Sequence, residues 1–279
     1  MSASRYNKGA YGMSISAEER KKAIIEELNL YGKVKVPSLA ERLEVSSETI
    51  RRDLDALEQV GRLKRVYGGA VKENYAEGEP PYQERQHINL AAKRAIAQHA
   101  AELLADGETV VIDTGTTMLE FARMIQGRKR LTVLTNSLPV ASLLSEALNQ
   151  HVFTGKVILL GGEVNTEQQS ISGPLCEKML ETFHVDKAFI SVGGISLSSG
   201  ISDYDINESM ISKTMARVSK AVFVLADQSK IGVQAFCKII SLDAVDVIIS
   251  DHEKPASWES ELERKGVTWM TVDTREGKA

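Results

Sequence analysis

The sequence predicts an α/β protein in which a small amino-terminal helix-turn-helix unit precedes a larger domain built on a mainly parallel sheet. Two observations carry this. From about Asn89 onward, seven short apolar runs (ETVVID, RLTVLTN, KVILLGG, KAFISVGG, AVFVLAD, VDVIIS and VTWMTV) alternate with helix-length segments, the spacing of parallel strands joined by helices. Ahead of them, two short apolar periodicities flank a tight turn near Ser46, the pattern of two helices meeting at an angle.

Residues 1–15 carry no apolar period and are expected as a flexible arm. Residues 16–71 make the first domain. A helix is predicted from Ala17 to Leu30, with Ile24, Ile25 and Leu28 on one side and Gly32 closing it. Val34-Lys35-Val36 suits a short strand. Pro37 suits the first turn of a second helix, where its missing N–H costs nothing. Val36, Leu39, Ala40 and Leu43 keep helical spacing along it. Ser46 is an expected N-cap, and Glu48 in the first turn favours the helix dipole. Ile50, Leu54 and Leu57 line one face of this third helix, and Gly61 ends it. Residues 62–71 read as two short strands around a turn. Residues 72–88, rich in charge with two prolines and a glycine, read as a linker to a second domain over 89–279.

The chain has 279 residues, enough for two domains and a sizeable core. No apolar run approaches the 18 residues of a membrane span, and the first residues lack the apolar centre of a secretory signal. Cys176 and Cys237 are the only cysteines, without a CxxC spacing, which suits a reducing compartment. A cytoplasmic location is expected. The net charge is −4, but it is unevenly divided. Residues 1–75 carry 14 Lys/Arg against 11 Asp/Glu, and the remainder carries 20 against 27. An anion-seeking module attached to an acidic one fits that asymmetry.

On the third helix, Arg52 falls nearly opposite the apolar stripe and Arg51 to one side, with Ser47, Glu48 and Thr49 in the first turns. Those turns of a recognition helix reach base edges in a major groove. Arginine can fork onto guanine, while Ser47 and Thr49 can bond phosphates. Arg62, Lys64 and Arg65 on the hairpin would add salt-dependent phosphate contacts. A plainer alternative stands beside this. Glu48–Arg52 and Arg51–Asp55 are i, i+4 pairs that stabilise any exposed helix by a few tenths of a kcal/mol (roughly). The preceding helix, the tight turn and the basic hairpin together favour DNA.

The run S46-S47-E48-T49-I50-R51-R52-D53-L54, with E58 and the hairpin R65-V66-Y67-G68-G69-A70, resembles the DeoR family of bacterial repressors. The resemblance extends over nearly the whole chain from about Ser16. It implies a winged helix-turn-helix followed by a sensor domain with a ribose-5-phosphate isomerase-like fold. It also implies a repressor of a carbohydrate operon, released from double-stranded operator DNA by a phosphorylated sugar or polyol.

The sensor site can be read from the residues as well. Asp113-Thr114-Gly115-Thr116-Thr117 places hydroxyls and a glycine where a helix begins, a suitable anion cradle. Other strands end in Asn136-Ser137, Gly161-Gly162, Gly193-Gly194 and Asp227-Gln228-Ser229-Lys230. Ligands of open α/β sheets sit at such carboxyl ends. The glycines would permit close approach and Lys230 would neutralise phosphate, although a Gly-Gly or a Thr-rich helix start is often only a turn or a cap. By the resemblance, N207-E208-S209-M210-I211-S212-K213 borders the same site, and Asp203 and Lys213 lie near the sugar hydroxyls.

In the related pentose-phosphate isomerases, the catalytic glutamate pairs with Ser212 of this chain, so no catalytic residue is expected. Glu208 and Asp205 leave open the alternative of an isomerase-like enzyme carrying a nucleic-acid-binding module. The five histidines are scattered without zinc-ligand spacing, and GxSxG and P-loop motifs are absent. No metal or cofactor is expected. A homodimer or homotetramer is expected, because one small reading module covers too little DNA.

Overall fold

The structure is a computed structural model that describes residues 16–31, 33–66, 68–71 and 80–274. The chain divides into two compact units, Met1–Gly78 and Glu79–Ala279. The expected arm at residues 1–15 and residues 72–79 of the expected linker lie outside the described residues.

The small unit runs α1 (Ala17–Tyr31), β1 (Lys33–Lys35), α2 (Val36–Arg42), α3 (Ser47–Gln59), β2 (Lys64–Val66) and β3 (Gly69–Val71). Ser16 and Glu19 cap α1 reciprocally: the Glu19 amide donates to Ser16 Oγ, and the Ser16 amide donates to Glu19 Oε2. Val36 opens α2 instead of closing a strand, since Pro37 suits the first helical turn. Ser46 caps α3, accepting from the Thr49 amide at 3.1 Å. Ile24, Leu28, Leu39, Ile50, Leu54 and Leu63 are buried together as the core. Arg20 on α1 forks onto Asp53 on α3, at 2.7 and 3.2 Å, where both side chains are largely buried.

Strand β3 lies between β1 and β2 and is antiparallel to both. The Gly68-Gly69 pair makes this wing possible for two different reasons. Gly68 adopts φ +80°, and its carbonyl accepts from the Val36 amide at 2.8 Å. At Gly69 a Cβ would stand 2.0 Å from the Val34 carbonyl oxygen, so only hydrogen fits against β1.

The larger unit continues with α4 (Tyr82–Arg85), α5 (Leu90–Glu102), β4 (Thr109–Ile112), α6 (Thr116–Met124), β5 (Leu131–Thr135), α7 (Leu138–Asn149) and β6 (Gly155–Leu159). There follow β7 (Glu163–Asn165), β8 (Ser170–Ser172), α8 (Pro174–Leu180), β9 (Val185–Ile190), β10 (Gly194–Ser196), β11 (Gly200–Asp203) and α9 (Ile206–Val218). The unit ends with β12 (Ser219–Leu225), β13 (Cys237–Ile240), β14 (Val247–Ser250), α10 (Glu259–Lys265) and β15 (Thr268–Thr271).

The seven apolar runs all become strands of one sheet, ordered β15-β14-β12-β9-β4-β5-β6 and parallel throughout. Successive residues of β4 face opposite layers, as a period of two requires. Val110 and Ile112 pack with α5, α6 and α7 around Phe121, Phe189 and Phe223. Val111 packs with α8, α9 and α10 on the other face.

Residues 80–88 correct the expected linker. They are held on the larger unit, with Tyr82 buried and its amide donating to the Glu167 carbonyl at 3.0 Å. The physical reason is that Tyr82 is a large apolar ring with somewhere to go, which charge and proline content conceal.

Candidate DNA-reading face and effector crevice

In the small unit, α3 has four sides with distinct roles. Ile50, Leu54 and Leu57 face the core, and Asp53 faces α1. The wing meets the opposite flank. Arg65 donates to the Arg51 carbonyl at 3.1 Å and pairs with Asp55 at 3.1 Å, while its amide donates to Glu58 Oε1. The remaining side is open. Arg52 is 80% exposed and Arg51 55%, and among the described residues their guanidinium groups make only long contacts to Glu48, at 3.7 and 3.5 Å. The helical-pair reading is therefore right about Glu48–Arg52, but Arg51 pairs with Glu48 and Asp55 turns to Arg65.

The structure separates the three hairpin cations expected to act together. Lys64 is exposed on β2. Arg65 is mostly covered, and its guanidinium is engaged in holding the wing to α3. Arg62 lies ahead of β2 and lines a groove between α1 and the end of α3, beside Lys21, Ile25 and Val60. Ser47 and Thr49 sit half-buried in the first turn, Thr49 Oγ1 lying 2.9 Å from Ser46 Oγ.

In the larger unit, the chain builds β4, β5 and β6 outward to one edge of the sheet. It then returns to the other side of β4 with β9 and proceeds through β12 and β14 to β15. The order thus reverses between β4 and β9, and the crevice at such a switch point is where α/β sheets hold ligands. Across the carboxyl ends stand Asn136 and Ser137 after β5, Asp113 to Thr117 after β4, Ser191 after β9 and Asp227 after β12.

Gly115 takes φ +128° and brings the chain so close to β9 that a Cβ would meet Ser191 Oγ at 2.9 Å. Ser191 Oγ donates to the Thr114 carbonyl at 2.6 Å. Helix α6 then begins at Thr116 with no side-chain cap, so its first amides have no partner within the helix.

Beside this loop lies a buried polar group that sequence spacing does not reveal. Ser212 Oγ donates to Asp113 Oδ2 at 2.8 Å, and Ser170 Oγ donates to Glu208 Oε1 at 2.5 Å. Burial pushes the Asp113 carboxyl up to about 7, against hydrogen bonds from Ser212 and the Thr114 amide that favour the anion, with nearby Asp203 adding to the rise. Burial likewise pushes Glu208 up to about 8, with Ser170 opposing it and Asp203, Asp113 and Asp205 adding to it. The three carboxyls are close enough to repel one another. Asn136 is fully buried next to this group; its Nδ2 donates to the Ile171 carbonyl, and among the described residues its Oδ1 has no hydrogen-bond partner.

Other expected residues are placed differently. Lys213 is on the solvent-facing stripe of α9 with Ile206 and Met210, while Glu208 and Ser212 are on its buried face. Gly193 and Gly194 are buried and already filled against. A Cβ would stand 2.9 Å from the Tyr204 ring and 2.5 Å from the Val233 carbonyl oxygen, respectively. These glycines serve the packing of the chain on itself. Gly162 does the same against the Ser172 carbonyl, whereas Gly161 faces open space at the β6 edge. Asp227 accepts from the Ser229 amide at 2.8 Å and from Asn89 Nδ2 at 3.0 Å, and Lys230 ends that short turn half-buried. Among the described residues, no group of three or more His, Cys, Asp or Glu is arranged to hold a metal ion.

Comparison with known proteins decides what kind of molecule this is. Residues 20–74 match the DeoR-like helix-turn-helix domain, and residues 88–252 match the DeoR C terminal sensor domain. The chain belongs to the DeoR family. It is 36% identical over 254 residues to the uncharacterized HTH-type transcriptional regulator YulB of Bacillus subtilis, covering 91% of this chain and 96% of that one. It is 34% identical over 235 residues to the lactose phosphotransferase system repressor of Streptococcus mutans, covering 84% and 92%. Among solved structures it is similar to ribose 5 phosphate isomerase A from Neisseria gonorrhoeae, with 18% identity, a TM-score of 0.37 and coverage of 50% and 52%. DeoR-family chains of this organisation are DNA-binding transcriptional regulators, and this chain is one. No helix among its described residues is long and apolar enough to cross a membrane.

Proposed function

We propose that this DeoR-family regulator represses a carbohydrate-utilisation operon and leaves its operator when a phosphorylated sugar or polyol fills the crevice between β4 and β9. One observation carries the reading. At the switch point, an uncapped helix start with threonine hydroxyls stands beside a buried set of carboxyls and serines. The first half suits a phosphoryl group, because helix amides and hydroxyls donate to anions. Thr114, Thr116, Thr117 and Lys230 would hold it. The second half suits hydroxyls, because carboxyls raised by burial can accept or donate as required. Asp113, Asp203 and Glu208 would bind the carbon chain of the sugar. A relative bearing the name of a lactose phosphotransferase system repressor supports the same class of regulon.

On DNA, Arg51 and Arg52 would read base edges, with Ser47, Thr49 and Lys64 on phosphates. A homodimer or homotetramer would present two or more copies of α3 to repeated half-sites.

The test uses the full chain and an operator selected from a random-sequence DNA pool. Thermal shift against a panel of sugar phosphates and polyol phosphates should find a stabilising compound. That compound should also release the DNA in titrations at fixed salt. Stabilisation by the unphosphorylated sugars alone, or by none of the panel, would defeat the proposal.

A further inference from the structure

We infer that residues 80–89 are a strap whose seat on the crevice loops carries effector occupancy towards the DNA-binding unit; this rests on the reading of the crevice as the effector site. The strap begins two residues after the boundary between the compact units at Gly78 and Glu79. Among the described residues Tyr82, Arg85, Lys93 and Asn89 all fasten it to the larger unit, and the contacts of Arg85 and Asn89 reach residues that border the crevice loops.

Arg85 is the central fastening. Its Nε donates to the Pro80 carbonyl at 2.9 Å, which closes the strap on itself, and its Nη2 donates to Gln168 Oε1 at 2.5 Å. The carbonyl of Gln168 in turn faces Thr114 Oγ1 at 3.5 Å. Gln168 thus touches the strap with its side chain and the phosphate-suited loop with its backbone. Next to it, Glu167 accepts the Tyr82 amide. The loop bearing both residues is itself pinned, because Asn165 Oδ1 accepts from the Glu167 and Gln168 amides.

Lys93 is the second fastening. It is 4% exposed on α5, and its Nζ donates to the Arg85 carbonyl at 2.5 Å. Burying an ammonium is costly unless its donors are satisfied, so a lysine kept here holds the strap's backbone in one place.

Asn89 is the third. It ends the strap in a left-handed conformation, φ +53°, and its Nδ2 donates to Asp227 Oδ1. Asp227 also organises the turn that carries Lys230. A phosphoryl group drawing on Thr114 or on the Asp227–Lys230 turn would act on residues that also seat the strap. Coupling requires a ligand to favour one arrangement over another, and these shared residues provide the means.

Hydrogen exchange of the full chain, read on peptides spanning residues 80–93, tests the linkage without any ligand. Asp227→Ala, a change inside the crevice, should speed exchange in the strap by about fivefold or more, the lower end of ordinary coupling. Gln150→Ala, on the far end of α7, should not. If Asp227→Ala fails to fold, Asn89→Gly removes the same hydrogen bond while keeping a residue at ease with positive φ. Unchanged strap exchange in the folded variant overturns the inference.

The second arm uses glucose 6-phosphate, fructose 1-phosphate and inorganic phosphate as probes. Gln168→Ala should bind whichever probe the parent binds, within about threefold, yet release the selected operator at least tenfold less readily (roughly the mid-range of allosteric coupling). Release equal to the parent's overturns the strap. If no probe binds the parent while Asp227→Ala still loosens residues 80–93, the effector reading fails and the mechanical link stands.

Discussion

The guanidinium of Arg65 donates to the backbone carbonyl of Arg51 at 3.1 Å, tying the wing to the middle of α3. A cation expected to reach DNA is instead directed inward, and among the described residues Nε of Arg65 is buried without a hydrogen-bond partner. Arg52, by contrast, is 80% exposed and, among the described residues, has one long ion pair. Their alanine variants should therefore fail differently. Arg52→Ala should fold normally, change stability by less than about 0.5 kcal/mol, and lose about 1–3 kcal/mol of preference for its operator over mismatched sites. Arg65→Ala should lower the melting temperature of the small unit as well as operator affinity. Gel-shift titrations beside thermal melts distinguish them, and equal melting of the two variants would refute the assignment.

Arg20 and Asp53 clamp α1 to α3 across the small core. Asp53→Ala removes the carboxylate onto which a largely covered guanidinium forks, and losing those charged hydrogen bonds should cost about 1.5–3 kcal/mol. A unit this small has little stability in reserve. Chemical denaturation of the variant should show an early transition absent from the parent. A single transition at the parent's midpoint would show the clamp to be dispensable.

The wing glycines separate strain from collision. Gly68→Ala meets nothing within 4 Å and should cost only the left-handed penalty of about 1–2 kcal/mol. Gly69→Ala drives a methyl carbon into the Val34 carbonyl and must part β1 from β3. We expect at least about 2 kcal/mol and a loss of operator binding beyond that of Gly68→Ala. Matched urea titrations check the ranking, which a larger effect at Gly68 would reverse.

Long apolar runs made most of the fold legible. Runs such as KAFISV and AVFVLA can satisfy both faces only at the centre of a covered parallel sheet, and all seven are strands of it. The five antiparallel strands of the larger unit escaped notice because they are short and partly polar, as with Ser170–Ser172 and Gly200–Asp203. The helix-turn-helix was legible because capping and periodicity are local. The crevice was only half so. Asp113 to Thr117 announce themselves by their types, but Ser212 meets Asp113 from 99 residues away and Ser170 meets Glu208 from 38. Gly193-Gly194 signalled a close approach, and the sequence did not say that Tyr204 and Val233 make it. Lys213 lies one position from Ser212, enough on a helix to turn it from buried to exposed.

The buried carboxyls give the sensor a pH dependence of definite sign. Asp113 and Glu208 have folded pKa values of about 7 and about 8, above the ordinary carboxylate range, because burial disfavours their charged forms. A raised folded pKa means that the folded state holds a proton the unfolded state has released. Their contribution is therefore fully present below the unfolded values, near pH 4, and is lost as pH rises to about 7 and about 8. Across that window the sensor should weaken by on the order of 1 kcal/mol per pH unit for each group still protonated. Melts of the ligand-free chain should decline from pH 5 to about pH 8 (roughly the upper folded value) and flatten beyond. Glu208→Gln keeps the shape of the side chain without its titration, and should reduce the slope while leaving the midpoint near pH 5 almost unchanged. A parent whose melting temperature rises over this interval would mean that these carboxyls are ionised in the folded chain. The half of the crevice proposed to bind hydroxyls would then have to work as a set of anions.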